Sequence, residues 1–461
     1  MEHKTSIYTF IAGISVNFLS LGTGFVYGWS SPMLPKLNGQ VDPEYNPLPS
    51  PATLEQQTWM TSLSSLGALC GPFLTAYISE EIGRKKTLLL FALPCIAAHV
   101  IIVFASSVEE FYVARLLMGL TVGCVYTVVP LYAAEISENH NRGLINLLMF
   151  FLYAIGHFAA VAIGPYVTVQ HFSVYSLVPL VSFLIVFGFF SPETPYYFML
   201  RNKPEEAEKS LKLLRGGGNI EKELKEIHEQ VEHTKDMGLF RSCNSLFTSK
   251  HSIKALTWSL LLMSFQQLSG YIYVASYTQT IFDLAHISFP NEIAVILVFF
   301  IQIIFVLAAF LVIDRLPRRL LAVLSLSTTM ILALSMGTYF YLLQRNVDLQ
   351  AVSWLPMVLF VFYVASYNIG IGPIAYIIPG EIFDPHVKSI GITLVTVLAF
   401  GWQFFSTVLL PNFAEKYGNE TPFWVFSASA FVSVFFIYGC LPETKGKSFL
   451  EIQSFLRAKT N

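Results

Sequence analysis

Twelve apolar runs recur along this chain, each long enough to cross the roughly 30 Å hydrocarbon core of a bilayer as a helix of about 20 residues. They lie at 7–29, 58–78, 87–106, 111–134, 144–168, 172–190, 254–282, 293–313, 320–342, 352–379, 388–411 and 422–440. With 54% hydrophobic and only 13% charged residues, too little polar surface remains to coat a soluble globule. The first run follows a short charged start, Glu2 and Lys4. It is too long for a signal-peptide core of about 7–15 residues and lacks a small-residue cleavage site, so it reads as the first span.

Orientation follows from where the cations fall rather than from the net charge of −2. With the N-terminus in the cytoplasm, every Lys and Arg except Lys36, Arg115, Arg345 and Lys416 lies in a cytoplasmic segment. Both termini are then inside. The sequon Asn419-Glu420-Thr421 falls in a last outer loop too short to hold its asparagine clear of the membrane. Nothing in the charge pattern points to nucleic acid. Cys70, Cys95, Cys124, Cys243 and Cys440 show no paired metal-type spacing, so free thiols are expected, with no disulfide and no zinc. No metal cluster, nucleophile motif or phosphate-cradling loop is found, so neither a cofactor nor an enzymatic activity is expected.

Residues 191–252 are rich in charge and break the run of spans. A first helix is expected from Pro204, with Glu205 and Glu206 in its opening turn, to Gly216-Gly217-Gly218 after Arg215. A second places Leu224, Ile227 and Val231 on one face, suited to packing under the spans. The run 352–379 holds Pro356, Pro373 and Pro379, so that helix is expected to break or bend.

The two halves of the chain echo each other at an offset of roughly 240–250 residues. Ile82-Gly83-Arg84-Lys85-Lys86 is matched by Leu316-Pro317-Arg318-Arg319, Glu135 by Glu381, and Pro192-Glu193-Thr194 by Pro442-Glu443-Thr444. The expected architecture is an all-α membrane protein of twelve transmembrane helices in two six-helix bundles: 1–190, a cytoplasmic helical linker at 191–252, a second bundle at 253–441 and a tail at 442–461. A parallel repeat of this kind places a site between the bundles near the midplane, opened alternately to each side by rocking.

These residues carry a resemblance to the sugar porter branch of the major facilitator superfamily over nearly the whole chain. The set Arg115-x3-Gly119-x3-Gly123-x6-Pro130-x-Tyr132-x2-Glu135-x6-Arg142-Gly143 is similar to the family's span 4 signature. Pro192-Glu193-Thr194-Pro195, Gln266-Gln267-Leu268-Ser269-Gly270, Gly372-Pro373-Ile374 and Pro442-Glu443-Thr444-Lys445-Gly446 follow in the family's order. The stretch from Gly28 to Leu37 resembles insect facilitated trehalose transporters in particular.

The resemblance implies a sugar of the glucose or trehalose class as partner, a plasma-membrane location and function as a monomer. It also implies a gating network of Arg84, Glu135, Arg142, Glu193, Arg318, Arg319, Glu381 and Glu443 that latches one state of a two-state equilibrium. Glu80, Glu81, Pro317 and Tyr196 depart from the family pattern there. For the sugar, whose hydroxyls and flat apolar faces call for uncharged polar and aromatic groups, the expected contacts are Gln266, Gln267, Tyr273, Gln302, Asn368, Tyr376 and Trp402. In span 7, read as one helix, Gln266, Gly270, Tyr273 and Tyr277 share a face. Phe150, Ile272 and Gly401 stand where the family has amide side chains, which lowers the hydrogen-bonding capacity of the site.

Sugar/proton symporters of the family resemble one another in a span 1 aspartate, and here no acid lies between Glu2 and Asp42. His157 is the remaining group able to titrate near neutral pH inside a span, and it reads as a neutral, hydrogen-bonded histidine. The expectation is facilitative uniport, with a non-transporting sugar sensor or a carrier of another small neutral solute as the alternative.

Overall fold

A computed structural model of the protein describes residues 7–39, 43–138, 142–217, 220–235, 239–313, 315–441 and 443–445. The first half comprises α1 (Ile7–Gly28), α2 (Ser30–Leu37), α3 (Leu54–Ile82), α4 (Arg84–Phe104), α5 (Val108–Ile136), α6 (Arg142–Ile163) and α7 (Val169–Phe190). Four shorter helices follow: α8 (Pro195–Leu200), α9 (Pro204–Arg215), α10 (Glu221–Lys235) and α11 (Leu239–Thr248). The second half comprises α12 (Lys250–Leu268), α13 (Tyr271–Leu284), α14 (Asn291–Ile313), α15 (Arg318–Gln344), α16 (Leu355–Ile369), α17 (Ile371–Ile382), α18 (Pro385–Tyr417) and α19 (Thr421–Cys440).

Ten helical segments among the described residues are long and apolar enough to cross a membrane: α1 with α2, α4, α5, α6, α7, α14, α15, α16 with α17, α18 and α19. The remaining two expected spans, 58–78 and 254–282, are helical as α3 and as α12 with α13 but fall short in hydropathy. In α3 the cause is a run of buried Thr58, Thr61, Ser62, Ser64 and Ser65. Three of these hydroxyls are satisfied within the helix, Thr61 donating to Gln57 O at 3.0 Å, Ser62 to Trp59 O at 3.3 Å and Ser64 to Thr61 O at 2.8 Å, which keeps a polar sequence compatible with a buried helix.

Within the first half α3 packs on α5, α1 on α6, and α4 on α5 and α7; within the second, α15 packs on α19, α14 on α16, and α12 on α17 and α18. The halves meet where α3 lies on α18, α6 on α14 and α2 on α13. The α3 to α5 contact is backbone against backbone. A Cβ on Gly67 would stand 2.2 Å from Leu116 O, and one on Gly119 2.1 Å from Ser64 O, so only glycine permits this approach. Packing is thus the role the structure gives the Gly119 and Gly123 face.

Two helices of the second half are broken at glycine. Gly270 takes φ +88 between α12 and α13, a left-handed conformation that favours glycine. Gly370 (φ −119, ψ −97) separates α16 from α17. The expected break in span 10 therefore occurs ahead of Pro373, and the one in span 7 was not anticipated.

The two helices expected after Pro204 are present as α9 and α10. α9 begins at Pro204 and ends at Gly216 in the left-handed region. Ile227 and Val231 of α10 bury against Met199, Ala207, Leu211 and Ile220, with Leu224 partly buried alongside. Arg215 ties this small core to the first half, donating to Ile136 O at 2.9 Å and pairing with Glu223 at 2.6 Å, while Thr9 donates to Leu214 O at 2.8 Å. α11, by contrast, packs on α12 and α18.

Candidate functional site

Between the halves lies a cavity of about 690 Å³ including its mouth. The first half contributes Tyr126, Leu147, Phe150 and Tyr153, which are apolar or aromatic. The amides come from the second half, Gln266, Gln267, Gln302, Asn368 and Gln403, as do the hydroxyls of Tyr271, Tyr367 and Tyr376; Tyr126 and Tyr153 add hydroxyls from the first. No charged side chain lines it among the described residues.

Inside the cavity the polar groups are already organised. Gln266 Nε2 donates to the Tyr367 hydroxyl, and Gln302 Nε2 donates to the Tyr271 hydroxyl at 2.8 Å. The rings of Tyr271 and Tyr367 stack at 4.1 Å with their planes 1° apart. Gln266 Oε1 and Gln302 Oε1 are buried with no hydrogen-bond partner among the described residues. Buried acceptors without partners are costly unless a ligand or water meets them. Asn368 Nδ2 is held by Val364 O at 2.7 Å.

One end of the cavity is sealed across the halves. Gln279 N–H donates to Ser31 Oγ at 3.3 Å, Tyr27 donates to Gln403 Oε1 at 3.0 Å, and Trp59 faces Phe404 at 6.3 Å. The lining runs the other way to Leu147 and Ile313, at the end of the bundle that carries Arg84 and Arg318. A ring cluster bridges the halves there, with Tyr376 6.0 Å from Tyr126 and 6.2 Å from Phe150.

Five expected contacts, Gln266, Gln267, Gln302, Asn368 and Tyr376, meet on this cavity. Tyr273 and Trp402 do not line it. The break at Gly270 resets the helix, so Tyr271 and Ile272 take the cavity face while Tyr273 packs against Phe426 at 5.7 Å and Tyr277 at 5.2 Å. Trp402 donates to Ser264 Oγ at 2.9 Å, tying α18 to α12, and its neighbour Gln403 reaches the cavity instead. Tyr271, Tyr367 and Gln403 were missed. For Tyr271 the usable signal was the glycine immediately before it; Tyr367 and Gln403 look like ordinary members of apolar runs.

The charged end is built twice on one plan. Glu193 accepts the backbone N–H of Arg84 at 3.0 Å, Lys85 at 3.0 Å and Thr194 at 2.9 Å. Glu443 accepts those of Arg318 at 3.0 Å, Arg319 at 3.0 Å and Lys445 at 2.9 Å. Each carboxylate thus caps the positive end of a helix, α4 or α15. Burial pushes the Glu193 carboxyl above its ordinary value, against the pull of those N–H groups and of Arg84.

Arg84 pairs with Glu135 at 3.0 Å and donates to Ser79 O at 3.2 Å; Arg318 stands 3.7 Å from Glu381 and donates to Ile313 O. These contacts run within each half. Arg319 lays its guanidinium over the Tyr438 ring at 5.0 Å. The Arg142 side chain lies outside the described residues.

Arg115 is fully buried beside the sealed end. It donates to Met60 O at 2.8 Å, Val26 O at 2.9 Å and the hydroxyls of Ser64 at 3.1 Å and Ser30 at 3.3 Å, with Trp29 beneath it at 4.8 Å. Carbonyls and hydroxyls hold this cation where a carboxylate could have stood. His157 is buried against Phe299 at 4.2 Å, and neither ring nitrogen has a partner among the described residues, contrary to the hydrogen-bonded expectation.

Comparison with known proteins agrees with this arrangement. The family described as "Sugar (and other) transporter" matches residues 14–456. The facilitated trehalose transporter Tret1 of Bombyx mori is 31% identical over 446 residues, covering 96% of this chain and 86% of the relative. The facilitated trehalose transporter Tret1-2 homolog of Drosophila simulans is 32% identical over 447 residues, covering 96% and 90%. Among solved structures, the partially occluded inward-open xylose transporter XylE from E. coli superposes with a TM-score of 0.79 at 21% identity, covering 96% of this chain and all of that one. The proton:xylose symporter XylE bound to 6-bromo-6-deoxy-D-glucose gives 0.77 at 20%, covering 98% and 100%. At that identity the likeness shows the fold, the two-bundle major facilitator architecture.

Proposed function

The chain belongs to the sugar (and other) transporter family, and from that premise we propose that it is a facilitative carrier of a sugar of the glucose or trehalose class. The observation that carries the reading is the cavity itself, which lies between two halves, is sealed at one end, and is lined by amides, hydroxyls and aromatic rings without a charge. Such a lining suits a neutral polyhydroxylated solute and gives an organic ion no counter-charge. The relatives named as trehalose transporters support the same class.

Twelve spans, with α3 and the α12 to α13 pair included, and the boundaries 1–190, 191–252, 253–441 and 442–461 complete the reading. The end carrying Arg84, Arg201, Arg318 and Arg319 faces the cytoplasm, as the placement of cations favours, and the membrane is the plasma membrane. Gln266, Gln267, Gln302, Asn368 and Tyr376 bind the sugar. Arg84 with Glu135 and Arg318 with Glu381 hold the ends of each half, and the network with Glu193, Glu443, Arg319 and Arg142 rearranges as the halves rock.

Uniport is supported by Arg115. A proton-coupled carrier needs a group that changes charge during the cycle; this guanidinium stays charged, and no carboxylate contacts it among the described residues. The direct test is uptake of radiolabelled trehalose and glucose by null-background cells at pH 5.5 and 7.5. Saturable uptake that is equal at the two pH values and lost in Gln266→Ala/Gln267→Ala is the expected outcome. Absence of uptake at confirmed surface expression would return the chain to the sensor reading.

A further inference from the structure

Arg345 is one of the few cations that the sequence leaves at the end of the bundle opposite Arg84 and Arg318, and the transport reading does not use it. Its guanidinium lies over the Tyr341 ring at 4.6 Å, and that ring packs against Trp424 at 5.5 Å. Below Trp424 a groove opens between α15 and α19, lined by Met330, Leu334, Trp424, Ala428, Phe431 and Val432. We propose that this groove and Arg345 form a binding site for one glycerophospholipid, with an acyl chain lying in the groove and the phosphodiester on the guanidinium.

Small residues make the groove. Gly337 lets the Trp424 indole lie against α15, since a Cβ there would stand 2.4 Å from Trp424 Cδ1, and Ala428 leaves only a methyl group between Trp424 and Phe431. Ser427, in the floor, donates its hydroxyl to Met330 O at 3.0 Å, so its polar group is already spent. The rim faces away from the rest of the protein. Leu334, Phe431 and Val432 are 51%, 53% and 56% exposed, in helices long and apolar enough to cross a membrane, where the surrounding medium is lipid. The groove also follows the helix axes, because Phe431 lies about two turns, roughly 10 Å, below Trp424 on α19, as Leu334 does below Tyr341 on α15. An acyl chain runs in the same direction.

The upper end of the groove suits a headgroup. Trp and Tyr favour the depth of the headgroups in a bilayer, which sets Trp424 and Tyr341 at that level and Arg345 beside the phosphates. A guanidinium stacked on a ring keeps its N–H edge free, and that edge matches a pair of phosphate oxygens. No ion pair holds Arg345 among the described residues. Asp348 accepts Gln350 N–H at 3.0 Å, and Glu420 is buried beside Gln344. Both helices of the groove belong to the second half and pack on each other, so the site does not depend on how the two halves stand.

The experiment uses the full chain in phosphatidylcholine vesicles that carry a trace of phosphatidylcholine with a diazirine midway along one acyl chain. After irradiation, labelled residues are read by peptide mass spectrometry. Adducts at Leu334, Phe431 and Val432 are expected to exceed those at Val178 and Phe189, which are exposed on α7, by on the order of threefold to tenfold. Arg345→Ala, an exposed change away from the cavity, is expected to remove most of this excess, and Arg345→Lys, which keeps the charge without the fork, part of it. A diazirine diacylglycerol with the same chains and no phosphate is expected to show no excess. Ala428→Phe, which fills the groove and leaves Arg345 in place, is expected to abolish it. Equal labelling of the groove and of α7 in the native chain overturns the proposal and leaves only the ordinary lipid shell. An excess that survives Arg345→Ala, or that diacylglycerol matches, overturns it as well, because the occupant is then an apolar chain alone. If Ala428→Phe does not fold, the exposed Arg345 variants and the diacylglycerol probe decide.

Discussion

The two halves are built on one plan and used differently. At the charged end both cap a helix with a carboxylate, yet in the first half Arg84 and Glu135 pair at 3.0 Å with side chains only 7% and 9% exposed, while Arg318 and Glu381 stand 3.7 Å apart at 11% and 30%. Thr194 donates to Glu135 Oε2; the matching atoms of the second half, Thr444 Oγ1 and Glu381 Oε2, are buried without partners among the described residues. The first half packs α3 on α5 through glycine, and the second carries the breaks at Gly270 and Gly370 and nearly all the polar groups of the cavity. Close packing over-determines the position of a helix, whereas a broken helix leaves backbone free to move and to meet a ligand. The lesson is a division of labour, with a rigid frame in one half and recognition and motion in the other.

The largest test of that division is at the frame's backbone contacts. Gly67→Val would drive a side chain into Leu116 O, with no flexible atom to yield, and no folded protein is expected at the cell surface by surface biotinylation. Gly401→Ala in α18 is the contrast: its Cβ would meet only Leu69 Cδ1, at 3.7 Å, and expression should match the native chain. Equal expression of the two variants would break the comparison.

Next come the ion pairs. Removing one partner of a buried pair costs about 3–5 kcal/mol, and of a more exposed pair about 1 kcal/mol or less. Glu135→Ala should therefore lower the apparent Tm of the purified protein by several degrees, and Glu381→Ala by much less. A reversed order would place the stable frame in the second half.

How much of this was legible beforehand depends on the physics of each element. The spans and the linker helix from Pro204 to Gly216 follow from local rules, and the repeat marked Glu193 and Glu443 as equivalents; their capping of α4 and α15 joins residues far apart in the chain and was not anticipated. The expected span 58–78 is helical as α3, and its Thr61 and Ser64 return their hydroxyls to their own helix, so they look polar only in sequence. Tyr273 was assigned to the cavity by extending helical periodicity across Gly270, where the left-handed backbone cancels it. Trp402 was carried over by resemblance, and its indole N–H went to Ser264 instead. Pairings such as Tyr271 on Tyr367 join residues far apart in the chain, which no local pattern encodes.

A sharper version of the comparison uses the two threonines. Thr194→Val removes a hydrogen bond to a buried carboxylate, worth about 1.5–3 kcal/mol, and should lower the apparent Tm measurably. Thr444→Val replaces a hydroxyl that makes no bond here, and should leave the Tm unchanged or slightly higher. If the two substitutions cost the same, Thr444 has a partner in another state of the cycle that dominates in solution, and the halves are more alike than this state shows.

The smallest expected effect is a slope in pH. Because burial holds the Glu193 carboxyl above its ordinary value of 4.5, the folded chain binds this proton more tightly than the unfolded chain does. The stability linked to it is present below the ordinary value and is lost as pH rises through the raised one, opposite in sign to a carboxylate held low by an ion pair. Glu193→Gln keeps an oxygen to cap the Arg84 and Lys85 N–H groups but does not titrate. Apparent Tm measured from pH 4 to 7 should therefore fall more with rising pH in the native chain than in the variant. A native chain whose Tm rises relative to the variant over that range would mean that the cap and Arg84 outweigh burial at Glu193, and that the frame is held at this point by charge rather than by packing.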